Sequence, residues 1–208
     1  MTEGDIAHSF DCDGVLVWRI PVQSEVLRWN GDRRIILPSE LPVLDRTIDE
    51  TGLRGRDIPT HRFHSVRWVT NRVARAVTSI SRGDIYLNTG RKNRRSYVDS
   101  TEQALVKAGI RDRFKDLYFG VKGVSNIMSK IVWLDMLSNN YNTVYHYDDN
   151  PKTALTIERF FRERSQDVKS VIVRDWSTGF LTRDVNLAAH PNLVIARNIE
   201  EAVRLVQK

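Results

Sequence analysis

Residues 6–17 read IAHSFDCDGVLV, and the rest of the chain is organised around them. Ile6 to Phe10 is a short apolar run with a polar interruption, which suits a buried strand. It ends abruptly in Asp11-Cys12-Asp13-Gly14. Carboxylates one residue apart at the end of an apolar run repel each other and are costly to bury. A cation that neutralises the pair removes much of that cost. Oxygen-only ligation suits Mg²⁺, which takes one or two carboxylates and keeps several waters. Gly14 lets the chain turn sharply behind the carboxylates and leaves space beside them. A loop carrying two solvated aspartates fits the same four residues, so the later strand ends of the chain have to decide.

With 208 residues the chain is long enough for one domain of ordinary size with a real core and a small insertion. A hydrophobic share of 41% beside 28% charged residues is globular composition, so a packed fold is expected. No run approaches the ~20 apolar residues of a membrane span. The start, MTEGDIAHSF, has neither the basic start nor the apolar centre of a signal peptide. The single cysteine, Cys12, excludes an internal disulfide and a cysteine zinc cluster. Its flanking aspartates disfavour a thiolate, which argues against a nucleophilic cysteine. A soluble protein in a reducing, cytoplasmic compartment is the expectation.

The net charge of +6 is unevenly spread. Between Arg54 and Arg95 eleven basic residues face Asp57 and Asp84, so that block is +9 and the remainder is 6 − 9 = −3. Basic blocks attract phosphate polymers, although a solvated helix face also accounts for one. Residues 18–43 read as extended structure with turns, and Trp29-Asn30-Gly31-Asp32 carries the Asn-Gly hairpin signal. Residues 44–60 read as loop. Ser65 to Ser81 reads as a helix whose Val66, Val69, Val73, Ala76, Val77 and Ile80 share about 100° of arc. Arg67, Arg72 and Arg75 point away from that stripe.

Ile85 to Asn88 reads as the next strand, running into Thr89-Gly90-Arg91. A hydroxyl followed by glycine at a strand end offers a phosphate oxygen a donor and a close backbone, and an arginine two residues on offers a fork. Helices are expected over 99–108, 125–137, 153–164 and 200–207, and strands over 116–121, 143–147, 170–173 and 193–196. The strand over 143–147 ends in Asp148-Asp149-Asn150-Pro151. His8, His61, His64, His146 and His190 show no metal-ligand spacing and read as structural or surface residues. Strands alternating with helices imply an α/β, Rossmann-like parallel sheet with helices on both faces. In such a sheet ligands lie outside the carboxyl ends of the strands. Asp11, Asp13, Thr89, Asp148 and Asp149 all follow strands on that edge.

Taken in order, these strand ends resemble the motifs of the haloacid dehalogenase (HAD) superfamily. Asp11, Asp13 and Val15 match motif I, Thr89-Gly90-Arg91 resembles motif II, and Asp148-Asp149 resembles motif IV in its Asp-Asp form. A lysine near a helix start matches motif III. Lys130, eighteen residues before Asp148, is spaced as in polynucleotide kinase-phosphatases, while Lys122 competes for the role. The Thr-Gly-Arg form is similar to that of nucleic-acid-end and Swiss-Army-Knife RNA repair-like HAD proteins. The resemblance covers roughly residues 5–16 and 83–208. Residues 17–82 then stand as a β-hairpin flap and a small cap-like helical insertion within a single domain, 1–208.

The resemblance implies a Mg²⁺-dependent phosphatase. Asp11 would attack phosphorus and form an aspartyl-phosphate, and Asp13 would protonate the leaving oxygen and later activate water. Asp11, Asp13 (through its backbone carbonyl), Asp148 and Asp149 would hold the metal. Thr89 and Lys130 would hold the transferring phosphoryl oxygens, with Gly90 and Arg91 binding the substrate phosphate from outside. Too little sequence for a large cap, beside a basic block, points to a nucleic-acid terminal phosphate. Arg67, Arg72, Arg75, Lys92, Arg94 and Arg95 would form its patch. A small phosphate ester is the alternative substrate, and a catalytically quiet nucleic-acid-binding or assembly module is the alternative class. A partner kinase or ligase is not visible in the sequence.

Overall fold

The computed structural model describes residues 5–17, 69–174 and 187–207. Their elements are β1 (Ile6–Phe10), α1 (Asn71–Thr78), β2 (Asp84–Lys92), α2 (Arg95–Lys107), β3 (Phe114–Gly120), α3 (Asn126–Ser138), β4 (Thr143–Asp148), α4 (Pro151–Arg162), β5 (Val168–Val173), β6 (Leu193–Ala196) and α5 (Ile199–Val206). All belong to one compact unit drawn from residues 1–18 and 68–208. The expected hairpin at Trp29 to Asp32, the loop over 44–60, Arg67, His61 and His64 lie outside the described residues.

The six strands form one parallel sheet in the order β3-β2-β1-β4-β5-β6. The chain winds outward from β1 in one direction, then restarts at β4 on its other side. That reversal is the topological switch point, where open α/β sheets bind ligands. β1 is central because Ala7 to Phe10 are all buried. Successive residues on the strands alternate between two cores, as a pleat requires. Phe10, Ile85, Leu87, Tyr147 and Val171 pack with α1, α2 and α5. Ala7, Tyr86, Val144 and Val168 pack with α3 and α4. The helices therefore cover both faces. Phe10 and Tyr147 stack across the β1–β4 seam with centroids 4.2 Å apart, fixing the register beside the switch point.

Side-chain caps set several helix starts. Ser125 accepts from Met128 N at 3.3 Å, and Asn150 accepts from Lys152 N and Thr153 N at 3.0 and 3.3 Å with Pro151 at the first helical position. Thr70 caps α1, so that helix begins at Asn71, and Val69, placed on the expected helical stripe, precedes it. Val73, Ala76 and Val77 of α1 join the main core beside α5, so this part of 17–82 is a piece of the sheet's own covering. α2 starts at Arg95 rather than Asp99, and Arg94 gives it no side-chain cap to read.

Candidate active site

The segment after β1 folds into a tight turn closed on itself. Val17 N and Leu16 N donate to Cys12 O at 2.8 and 3.1 Å, and Gly14 N donates to Val17 O at 3.0 Å. Gly14 sits at φ +81°, and a Cβ on it would collide with the Asp149 carboxylate. Only glycine meets both demands. Asp11 N donates to Tyr147 O at 2.9 Å, which carries the β1–β4 pairing one residue beyond the strand. Asp11 and the end of β4 are thereby held side by side. Cys12 is fully buried in the core, in keeping with a packing role.

Asp11, Asp148 and Asp149 form a cluster whose ligand oxygens all lie within 4.8 Å of one another. Lys130 reaches into it from α3. Its Nζ lies 2.6 Å from Asp148 Oδ2 and 3.0 Å from Asp11 Oδ2, and all three side chains are at least 90% buried. Asn88, buried on β2, donates from Nδ2 to Lys130 O at 3.1 Å and so fixes where α3 presents the lysine. Lys122, the competing lysine, is exposed. His146 is fully buried between Ser9 Oγ at 3.1 Å and Asp148 Oδ2 at 3.3 Å. With Nε2–H donating to Asp148, Nδ1 accepts from the Ser9 hydroxyl, an assignment that satisfies both contacts. Asn150 N donates to the other Asp148 oxygen at 2.8 Å.

These surroundings push the two carboxyls in opposite directions. Burial lifts Asp11 above the usual carboxylate range, Lys130 works against it, and the Asp148 charge adds to the rise. Burial would lift Asp148 too, but Lys130 and the hydrogen bond from His146 hold it well below that range. Desolvation alone would lower Lys130, whereas Asp11 and Asp148 hold its ammonium above the ordinary value. Lys130 thus brings one positive charge to a cluster of three carboxylates. An all-oxygen donor set with excess negative charge and a glycine leaving room against Asp149 fits a hard divalent cation such as Mg²⁺.

The second strand does more than expected. β2 continues through Thr89-Gly90-Arg91 to Lys92, which pairs with Gly120, with a register shift between Asn88 and Lys92. The three residues are therefore an irregular stretch of strand rather than a loop after it. Gly90 runs against the start of α3, where a Cβ would stand 2.7 Å from Asn126 Cβ. Thr89 is buried and its Oγ1 accepts from Arg91 N at 3.3 Å. Arg91, expected to face outward to a phosphate, turns inward. Its Nε and Nη2 donate to the two carboxylate oxygens of Asp13, and Nη1 donates to Thr101 Oγ1 at 3.4 Å. The Asp13 carboxylate accordingly stands apart from the three-carboxylate cluster.

The expected basic patch divides in two. Lys92, Arg94 and Arg95 are exposed at the end of β2, on the sheet edge that carries Thr89. Arg72 and Arg75 are exposed on α1 and pair with Glu200 of α5 at 3.6 and 3.2 Å, as Arg95 pairs with Asp99 at 3.6 Å. His146 is the site residue that spacing rules overlooked. Its signal was present, because a residue two before Asp148 on a strand shares its face. Thr101 and Asn126 carried no comparable signal. Among the described residues no helix is long and apolar enough to cross a membrane.

No protein-family model and no curated protein matches the sequence. Among solved structures the chain is similar to a haloacid dehalogenase-like family hydrolase from Streptococcus pneumoniae, at 9% identity over 99% of each chain with a TM-score of 0.50. It is also similar to the HAD domain of the effector protein Lem4 from Legionella pneumophila, at 11% identity over 86% of this chain and 94% of that one, with a TM-score of 0.44. At such identities the likeness is one of fold.

Proposed function

We propose that the chain is a Mg²⁺-dependent phosphomonoester hydrolase that works through an aspartyl-phosphate on Asp11. The observation that carries this is the buried set Asp11, Asp148, Asp149 and Lys130 at the switch point of the sheet. A buried cluster of like charges is costly, and such an arrangement at a ligand-binding edge points to chemistry. Asp11 must be ionised to attack phosphorus, yet burial opposes its ionisation. When bound by Asp11, Asp148 and Asp149, Mg²⁺ supplies the positive charge that favours the ionised nucleophile and offsets the phosphoryl oxygens. Lys130, beside Asp11 and Asp148, would stabilise the same developing charge. His146 and Asn150 hold Asp148 in place, which is how outer partners orient a ligand. Asp13 gives a proton to the leaving oxygen as the Asp11–phosphorus bond forms, which requires one Asp13 oxygen to leave the Arg91 fork and carry that proton. It then takes one from the water that breaks that bond.

The substrate in this reading is a nucleic-acid terminal phosphate, as in the polynucleotide kinase-phosphatases and RNA repair-like proteins that the motifs resemble. Exposed Lys92 at the end of β2, Arg94 and Arg95 just after it, and Lys122 after β3 lie at the carboxyl edge of the sheet and suit a polyanion. The test is phosphate release from an aryl phosphate and from 3′- and 5′-phosphorylated DNA and RNA oligonucleotides, with Mg²⁺ and with chelator. Faster turnover of a small phosphorylated metabolite than of every oligonucleotide would move the substrate to a small ester. No release from any of them would favour a quiet binding module.

A further inference from the structure

We infer that Arg91 is the positioning residue of Asp13, acting through that carboxylate rather than on the substrate phosphate; the inference rests on the phosphatase reading. Three arms of one guanidinium are committed. Nε and Nη2 take both oxygens of Asp13, and Nη1 takes Thr101 Oγ1 at 3.4 Å. Thr101 is itself fully buried and its hydroxyl donates to Tyr97 O at 2.7 Å, so the third arm rests on a fixed point of α2. The Arg91 side chain is 9% exposed and that of Asp13 is 15% exposed. A phosphate arriving from outside would have to displace a fork already matched to a carboxylate.

The backbone beneath is equally fixed. Arg91 N donates to Thr89 Oγ1, and a Cβ on Gly120 would stand 2.9 Å from both Gly90 O and Arg91 O. β2 and β3 therefore close on each other at the root of Arg91, while Gly90 is pressed against α3. Asp13, by contrast, lies on the turn after β1, where among the described residues the bridge to Val17 is its one strand-like pairing. The fork supplies what that turn lacks, a fixed plane for the carboxylate. Lysine would bring the charge without the plane.

A residue that acts through the acid/base group leaves a signature that a phosphate binder does not. An aryl oxide departs readily without a proton, whereas a sugar alkoxide needs one. Misplacing Asp13 should therefore cost turnover of alkyl esters far more than of aryl esters, while phosphate affinity is retained. The experiment compares Arg91→Gln, Arg91→Lys, Asp13→Asn and the double variant Arg91→Gln/Asp13→Asn on p-nitrophenyl phosphate and on an end-phosphorylated oligonucleotide. Binding of inorganic phosphate and thermal melting are measured alongside. Arg91→Gln should lower kcat for the oligonucleotide by about 10²-fold, the size of a general acid–base contribution, and for the aryl ester by only a few-fold. KM and phosphate affinity should stay near wild type, and Arg91→Lys should recover part of the loss. Added to Asp13→Asn, Arg91→Gln should cost little more in kcat, and the two melting shifts should not add.

Equal losses on both esters, seen mainly in KM and phosphate affinity and additive with Asp13→Asn, would overturn the inference and return Arg91 to the phosphate. The melting cycle keeps this failure distinct from failure of the phosphatase reading. A chain inert towards both esters with coupled melting shifts sinks the activity but sustains the pairing. Additive shifts sink the pairing whatever the activity. Should Arg91→Gln not fold, Thr101→Val loosens the third arm without removing the charge. Its loss must again fall on the alkyl ester.

Discussion

Replacing Lys130 by Met keeps the aliphatic stem and deletes the ammonium. In the folded protein that ammonium lies 2.6 Å from Asp148 and 3.0 Å from Asp11, and the three side chains are 7%, 0% and 10% exposed. Removing one partner of a buried pair leaves an uncompensated charge and costs about 3–5 kcal/mol. For a chain of this size that lowers Tm by roughly 6–20 °C. The deficit should depend on pH with a definite sign. Without the ammonium, the carboxyl of Asp148 keeps only His146 to hold it low against burial and rises, and that of Asp11 rises further. A carboxyl raised in the folded state binds more protons folded than unfolded, so its contribution to stability falls as pH rises. The gap between variant and wild type should therefore narrow as pH drops from 7 towards the ordinary carboxyl value of 3.8. Mg²⁺ should also raise the melting point of the variant more than that of wild type, because it reaches carboxylates that have lost their counter-charge. Thermal melts in chelator and in Mg²⁺ across that pH range read all of this. Turnover should fall by about 10²-fold or more, as on removing other transition-state charge stabilisers. A variant that melts within 2 °C of wild type in chelator, with a parallel pH profile, would refute this charge balance, since loss of the buried counter-charge requires at least roughly 6 °C.

Asp11→Asn keeps the shape of the proposed nucleophile without its charge, so release of phosphate from an aryl ester should drop to background in the presence of Mg²⁺. Gly14→Ala forces a side chain into a φ of +81° and against Asp149, so it should weaken Mg²⁺ binding, read by titration calorimetry, as well as turnover. Replacing Lys92, Arg94 and Arg95 together by Gln should flatten the log–log salt dependence of oligonucleotide binding by up to about 2, at ~0.7 per phosphate contact for single strands. Arg72→Gln with Arg75→Gln should flatten it less, because Glu200 already pairs with both arginines. His8 should make the fold sensitive to mild acid. Burial lowers it from 6.5 to about 4, with its hydrogen bond to Arg82 O acting the other way. Between those values the unfolded chain holds a proton that the native one refuses, so stability falls by up to about 3 kcal/mol as pH drops from 6.5 to 4. His8→Asn should remove that part of the slope in urea denaturation curves.

What could be read from the sequence, and what could not, divides along a physical line. Ile6 to Phe10 and Leu193 to Ala196 are strands with the bounds that their apolar runs imply. At β1 the run is buried from Ala7 to Phe10 even through His8 and Ser9, while β6, an edge strand with Val194 and Ile195 partly exposed, was marked by its short apolar run alone. The parallel alternation and the edge that carries Asp11, Asp148 and Asp149 followed from the same patterns. The start of α3 was legible at Ser125, whose side chain caps it, whereas α4 begins at Pro151 rather than Thr153 although Asn150 caps it, and the start of α2 was missed where Arg94 gives no side-chain cap. The continuation of β2 to Lys92 was missed for a different reason. Thr-Gly-Arg looks like the close of a strand, yet Gly90 allows the chain to press against Asn126 and stay paired with β3.

Within the site, Lys130 was legible only through a resemblance, its place near a helix start eighteen residues before Asp148, which left Lys122 in competition until the structure placed Lys130 against Asp11 and Asp148. The partner of Arg91 was not. Seventy-eight residues separate Arg91 from Asp13, and both a phosphate and a carboxylate match a guanidinium fork. The sequence offers either partner. Which one Arg91 takes depends on the turn after β1 bringing Asp13 over the end of β2, and on Thr101 standing behind. In the proposed reaction, if Arg91 belongs to Asp13, the phosphate would be left to Lys130, Thr89 and the proposed cation. The burial of Lys130, and its hold from Asn88 through the α3 backbone, are then requirements of that division of labour.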